Sequence, residues 1–495
     1  MIQIPSGFAI ESPLESRIKK RFRQITITTI ILVAIADWLF YKQPFGWSMG
    51  IYGILLLPAI LLSRPAMIRA SGAPLLILTM IGLCIALMAQ PGPLVMVMAI
   101  LCVLLLASLQ QKGLAGNARD WFHRWETFLV FSYRQMIHDL RLRSRWRKSS
   151  HSSPSRDSVI HYFGHWLLPV SLSLGFLYLF AIANPLIDFV LEAFRKNLWT
   201  AIMMLDMSLS RVLLWCSLAT TIWALLRFPK TLRKPAHRSA TEPRSTNPSF
   251  LVRSLALFNA VFAAETALDL IYLWGGAALP GQMTYAEYAH RGAYPLIATA
   301  LLAGLFVLAT FRPGSGSRDL LTPRRLVYLW LAQNVFLTLS SMWRLRLYIE
   351  VYGLTRWRIA ALIWMFLVAT GLLWIGCRIL TGRSNGWLVS MNLFTTLLVL
   401  YGCCFVNFDG MIAWHNVRHS QELGIPADFE YLKSLGPESI PALNWLGSPL
   451  QSAPAADEAR KCSLELQETL RQQTRNWRGW TWRRHELLRV AGRSF

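Results

Sequence analysis

Acidic residues are scarce in this chain, and long polar stretches are scarcer. Of 495 residues, 26 are Asp or Glu against 50 Lys or Arg, a net charge of +24. Only 15% of residues are charged and 54% are hydrophobic, which excludes the string of soluble domains that the length would allow. Nucleotide and nucleophile signatures are missing too: there is no P-loop, no dinucleotide glycine fingerprint and no G-x-S-x-G elbow. "RPGSGSRD" (Arg312 to Asp319) reads as a short flexible loop. No nucleic-acid-binding motif accompanies the positive charge, so nucleic acid is not an expected partner. Cysteine is sparse. Cys84, Cys102, Cys216, Cys377, Cys403 and Cys404 lie in or beside apolar runs, and Cys462 alone falls in a soluble stretch. With no CxxC pair, neither a disulfide framework nor a zinc or thiol-redox site is expected.

What the sequence has is apolar runs of roughly 17 to 22 residues, the length that crosses a hydrocarbon core as a helix. Eleven are readable, at 25–41, 46–63, 73–90, 92–110, 163–183, 209–228, 250–274, 293–311, 325–342, 359–377 and 386–406. The expected fold is an all-α, polytopic transmembrane bundle of eleven spans with a small helical C-terminal extramembrane region. The first run has no small-residue cleavage site and is expected to stay as an anchor.

Charge sets the orientation. "RIKKRFR" (Arg17 to Arg23) precedes the first run, which predicts a cytoplasmic N-terminus, residues 1–24. Alternation then puts the basic 111–162 loop, the 229–249 linker and the 312–324 loop on the same side, where Lys and Arg far outnumber those outside. Such loops face anionic lipid. The chain thus divides into four spans at 25–110, two at 163–228, five at 250–406, and a helical tail at 407–495 expected outside. Residues 187–205 should form an amphipathic helix at the outer interface, with Ile187, Val190, Leu191, Phe194, Leu198, Ile202 and Leu205 opposite Asp188, Glu192, Arg195 and Lys196. In the tail, "DFEYLKSLG" and "PESIPALNWLG" read as short helices. A longer polar helix is expected from about 455, and "NWRGWTWRRHELLRV" suits a membrane surface.

Three stretches carry the chemistry. The first is MTYAEYAHRGAYP (Met283 to Pro295), where Thr284 and Glu287 have capping-box spacing and Glu287 and Arg291 have ion-pair spacing. Local helix structure explains much of it, including the interfacial tyrosines. The second is Glu265 and Asp269, four apart on one face of the seventh run, with Tyr272 beyond. Glu265 sits about nine residues below the outer end, roughly 14 Å, where a carboxylate must be paired, protonated or facing water. The third is the loop "WRLRLYIEVYGLTRWR", with Arg344, Arg346, Glu350, Arg356 and Arg358. Arginines outside run against the positive-inside trend, so they are expected either to pair with carboxylates or an anionic headgroup or to snorkel. The candidate polar site is Glu265, Asp269, Tyr272, Glu287, His290, Arg291, Arg344, Arg346, Glu350, Arg356, Asn407 and Asp409. A metal site would draw on Glu287/His290 and on His415/His419 with Asp269 or Asp409. The sequence has only one E-x-x-H unit of this kind and no H-E-x-x-H motif, so no metal or cofactor is expected.

The pieces "LDLIYLWGGAALPGQMTYAEYAHRGAYPL", "RLRLYIEVYGLTRWR" and "NFDGMIAWHNVRH" with "DFEYLKSLG" resemble, in this order, a bacterial family of multi-pass membrane proteins, domain of unknown function 4173, related to 4153. The resemblance covers about 250 to 440 and implies a bacterial inner-membrane location without a known activity. In that family an aromatic residue is usual where His415 stands, which weakens the metal reading further. Two functions stay open. One is an envelope protein that binds, scaffolds or signals through the outer polar site, with a possible protein partner. The other is an integral-membrane transporter or enzyme using Glu265, Asp269 and Glu287 on an anionic substrate held by the arginines.

Overall fold

The computed structural model describes residues 13–63, 65–109, 208–227, 248–276, 321–448 and 453–491, with isolated positions at 139, 173, 191–192, 195–196 and 302. Every regular element among them is a helix. Five helical stretches are long and apolar enough to cross a membrane: Lys20–Phe40, Leu209–Leu226, Val252–Trp274, Arg356–Thr381 and Asn385–Cys403. The predicted spans 163–183 and 293–311 and the 187–205 helix lie outside the described residues, apart from positions 173, 302, 191–192 and 195–196.

The chain divides into two compact units. The first comprises Met1–Gln43, Leu55–Ile68 and Arg124–Leu232. Here α1 (Pro13–Phe40) and α5 (Leu209–Leu226) pack antiparallel. Phe22 meets Trp223 at 5.3 Å, while at the other end Tyr41 bonds Ser208 at 2.5 Å. Each end of the pair holds an ion pair. Arg211 grips Asp37 through Nε and Nη2 at 3.0 and 2.6 Å, and Arg227 meets the fully buried Asp139 at 2.6 Å.

The second unit comprises Pro44–Ile54, Arg69–His123 and Arg233–Phe495. It opens with the first turns of α2 (Ser48–Ser63), which is shared with the first unit, and then contains α3 (Ala73–Ala89) and α4 (Pro93–Ser108). α2, α3 and α4 are apolar but only 16 or 17 residues long. Next come α6 (Pro248–Leu268), which continues into a π turn at Asp269–Trp274, and α7 (Leu321–Tyr352). α6 and α7 run in the same direction, since Asn259 reaches Leu326 and Asp269 reaches Arg344. α8 (Arg356–Thr381) returns along α7, and α9 (Asn385–Cys403) returns along α8. Leu255, Val327, Trp330, Leu331, Leu372, Ile375, Ile379 and Leu388 form the core of this bundle.

The arginine-rich stretch is not a loop. α7 is 32 residues long and carries Arg344, Arg346 and Glu350 on its final turns, so the chain is helical well past 342, where the expected span ended. Leu and Arg are both good helix formers, and charge alone does not end a helix. The turn proper is Gly353–Thr355. Gly353 has φ +73°, a left-handed conformation that suits glycine. Asn416 clamps this turn, accepting from Leu354 N at 2.6 Å and donating to Leu354 O at 2.9 Å. Thr355 then caps α8 by accepting from Arg358 N.

The tail folds as α10 (Phe408–Leu423), α11 (Phe429–Ser434), a 3-10 turn at Gly436–Ser439, α12 (Ile440–Leu446), α13 (Ala453–Thr474) and α14 (Trp482–Ala491). α10 buries Ile412, Ala413 and Val417 against Ile349, Leu354 and Ile359 of the α7–α8 end and against Leu432, Leu443 and Leu446. Each fully buried Ile or Val contributes roughly 1.5–3 kcal/mol. Cys462 belongs to this core and is buried, although the sequence places it in a soluble stretch. The tail also clasps the segment before α2. Trp47 N donates to Trp480 O at 2.9 Å, the two indoles meet at 4.9 Å, and Arg484 Nη1 donates to Phe45 O at 3.1 Å. A Cβ on Gly46 would collide with the Arg478–Trp480 backbone, so the approach requires glycine there.

Candidate functional site

The carboxylates of α6 meet one arginine of α7. Arg344 Nη2 hydrogen-bonds Asp269 Oδ1 and lies 3.5 Å from Glu265 Oε1. The Arg344 and Asp269 side chains are 2% and 0% exposed, whereas Glu265 is 39% exposed. The i, i+4 spacing puts both acids on one face, and the α7 stripe of Asn334, Thr338, Ser341 and Arg344 faces inward. Asp269 opens the π turn, in which Gly275 N bonds Leu270 O at 2.8 Å. Such a turn shifts the helix register by one residue and recurs at functional sites. Tyr272 lies on it, half-buried, and Trp274 at its end donates to Ser340 Oγ at 3.1 Å and stacks on Trp343 at 5.6 Å.

Below this cluster the same interface is polar. Asn259 donates to Leu255 O and Leu326 O, Gln333 donates to Asn259 O, and Asn334 donates to Trp330 O. Each amide's NH2 faces a carbonyl, so rotating the amide would set oxygen against oxygen. Their oxygens, Asn259 Oδ1, Gln333 Oε1 and Asn334 Oδ1, are buried acceptors with no donor among the described residues.

The remaining candidates fall into other groups. Arg346 pairs with Glu350 one turn along at 3.2 Å, with both side chains exposed. Arg356 bonds Asp409 at 2.5 Å and Ser434 O at 3.3 Å, and its backbone N–H donates to the Tyr431 hydroxyl. Asn407 caps α10 by accepting from Gly410 N at 3.0 Å. Arg358 donates to the Tyr352 and Gly353 carbonyls that end α7. Glu287, His290 and Arg291 lie outside the described residues, as does the Thr284–Glu287 capping box.

The sequence reading missed the partners that complete these groups. Glu438, almost buried, accepts from Arg483 Nε at 2.6 Å. Burial pushes its carboxyl above the usual range, Arg483 opposes this, and the Asp409 charge adds to it. Asp37 was visible as an isolated acid in the first apolar run, and Arg211 as a lone base at the head of another. Asp139 and Glu438 gave no local signal. His415 and His419 stack at 5.7 Å on α10. Burial and the neighbouring His419 lower the His415 pKa, and Glu422 opposes them. Among the described residues, no three His, Cys, Asp or Glu side chains are grouped to hold a metal ion.

The comparisons with known proteins bear on the whole chain. No curated protein and no solved structure matches it. A family model described as a domain of unknown function, DUF4153, matches residues 56–446. The match begins far upstream of the motif-bearing half and takes in the α3–α4 pair along with the α6–α12 region. The motifs pointed to domain 4173; the model that matches the chain is that of the related domain 4153. With most of its length matched and five helices among the described residues long and apolar enough to cross a membrane, this chain is a helical membrane-type protein that belongs to the DUF4153 family.

Proposed function

We propose that the chain is an eleven-span protein of a bacterial inner membrane, with a cytoplasmic N-terminus and an outer tail that serves as a fixed platform for binding, scaffolding or signalling in the envelope. The observation that carries this is the fate of the arginines in residues 343–358. Arg344 is taken up by Asp269 and Glu265, Arg346 by Glu350, Arg356 by Asp409, and Arg358 by two backbone carbonyls. A transporter or enzyme that held an anionic substrate would need at least some of these guanidiniums facing a cavity. Instead Arg344 fastens the α6–α7 pair, Arg356 fastens the tail and Arg358 ties off the end of α7, while Arg346 stays paired with Glu350 on an exposed face of α7. The described parts of the stretches that resemble domain 4173, around Asp269, at 344–358 and at 407–436, carry these fastenings.

Two contacts support the topology. The clasp of Phe45 and Trp47 by Trp480 and Arg484 favours a tail on the same side of the membrane as the segment that leads into α2. The parallel course of α6 and α7 favours one return crossing between them, which the apolar run 293–311 would supply. Anionic lipid would then face the basic inner loops.

The test is complementation of a deletion strain by Asp269→Asn, Arg344→Met and Arg356→Ala, with protein level and protease resistance measured in the same membranes. A platform loses function in step with its level and resistance. A variant at Asp269 or Arg344 that stays abundant and resistant yet fails to complement would overturn the reading in favour of transport or catalysis.

A further inference from the structure

α10 carries a set of polar side chains that none of the contacts above uses. Trp414, His415, Arg418, His419 and Glu422 line a depression of about 350 Å3 on its outer side. Arg418 has no salt bridge or hydrogen bond among the described residues, unlike the four arginines of 343–358. The Nε2 of His419 is buried without a hydrogen-bond partner. The imidazole of His415 lies nearly parallel to that of His419, at 14°. Glu422 stands one turn beyond Arg418 on the same rim. Trp414 is 41% exposed, with its ring against Trp445 at 5.9 Å.

Taken together, these groups select a narrow chemistry. The Arg418 guanidinium and the His415 imidazole offer N–H donors to phosphate oxygens, with His419 packed behind them. A simple anion would be repelled by Glu422, which sits in the same depression. A carboxylate and an indole face suit an ammonium, one through charge and the other through the ring quadrupole. A ligand carrying phosphate and amine a few ångströms apart satisfies both halves.

The setting favours a lipid source. α9 is long and apolar enough to cross a membrane and ends at Cys403, so only Cys404–Asn407 separate it from α10. Trp414 is six residues into α10, roughly 9 Å along its axis. Phe405, Val406 and Met411, all about half exposed, lie on the way to it. Apolar side chains followed by Trp and Arg are what a headgroup layer accommodates.

We propose that the Trp414–Glu422 depression binds the phosphoethanolamine headgroup of a membrane lipid. This deepens the platform reading, naming a lipid that the tail would hold, and rests on the tail lying at the membrane surface.

The experiment is native mass spectrometry of the full-length protein in detergent, equilibrated with equal amounts of phosphatidylethanolamine and phosphatidylglycerol. The wild type should retain one phosphatidylethanolamine in preference. Arg418→Gln should weaken that retention about tenfold, equivalent to about 1.4 kcal/mol, while Arg418→Lys keeps most of it. Glu422→Gln should shift the preference toward phosphatidylglycerol, because the repulsion is relieved and the amine loses its partner. Thermal melts of each variant check that the fold is intact. Equal retention by wild type and Arg418→Gln, or a wild-type preference for phosphatidylglycerol, would overturn the proposal. Soluble phosphoethanolamine is titrated as a competitor: binding of it with no lipid retained would overturn the lipid source and the surface placement of the tail. A wild type with no lipid preference, with the complementation results as expected of a platform, would overturn this inference alone.

Discussion

Arg344 and Asp269 form an ion pair in which neither side chain is reached by solvent, 2% and 0% exposed, between two helices that run in the same direction. Glu265 stands 3.5 Å from the same guanidinium but keeps 39% of its side-chain surface. One arginine therefore faces two acids of unequal burial, and the two should respond very differently to substitution.

Removing either partner of the buried pair leaves a charge short of its counter-ion where water does not reach it. Asp269→Asn or Arg344→Met should each cost about 3–5 kcal/mol, and Glu265→Gln much less. The double variant Asp269→Leu with Arg344→Met should recover a large part of the loss, because the one charge left, Glu265, is partly exposed to solvent. Thermal melting of the purified proteins in one detergent measures this cycle. Additive losses in the double variant would mean that the two residues are not coupled.

Glu438 makes stability depend on pH. Its folded-state pKa lies above the ordinary carboxylate value, chiefly through burial. In the window just above that ordinary value the folded chain binds more protons than the unfolded chain, so this group adds stability as pH falls and removes it as pH rises. Glu438→Gln should flatten that slope. Melting temperatures of wild type and variant, compared from mildly acidic to neutral pH, should converge toward low pH. Parallel curves would show that Glu438 is not the titrating group.

Asn334 is 1% exposed and its Oδ1 has no donor among the described residues. A buried acceptor left unmatched costs about 1–3 kcal/mol, so Asn334→Leu should be neutral or stabilising. A fall in melting temperature would mean instead that a donor, such as bound water, is held at that oxygen.

The clasp between Trp47 and Trp480 holds the segment before α2 against the tail. Cysteines introduced singly at Phe45 and Glu468, in a background with the native cysteines replaced, should react with an impermeant maleimide from the same side of intact membranes. Native Cys462 is a poor reporter because it is buried and its thiol pKa is raised by that burial. Labelling of the two positions from opposite sides would break both the clasp and the odd span count.

Much of the architecture was legible in residue order. Apolar runs at 209–228, 250–274, 359–377 and 386–406 became helices of nearly those bounds, because a helix is the way a single apolar segment satisfies its own backbone in lipid. The short tail helices were marked by their prolines and glycines. The end of α7 was misread because hydropathy falls where Arg344 and Arg346 begin, while helix formation does not. Clustering of the site was only half legible. The spacing of Glu265 and Asp269 put them on one face, yet the candidate residues form separate intramembrane and tail-junction groups.

The sequence by itself determined the helical membrane class and the shared face of the two acids, since each follows from composition, periodicity or local order. The tertiary structure alone decided that Arg344 meets Asp269, that Asp409 and Glu438 receive Arg356 and Arg483, and that Arg418 has no salt bridge or hydrogen bond among the described residues. Those pairings join residues tens of positions apart, and α6–α7 packing, the π turn and the fold of the tail choose among arginines that are chemically alike.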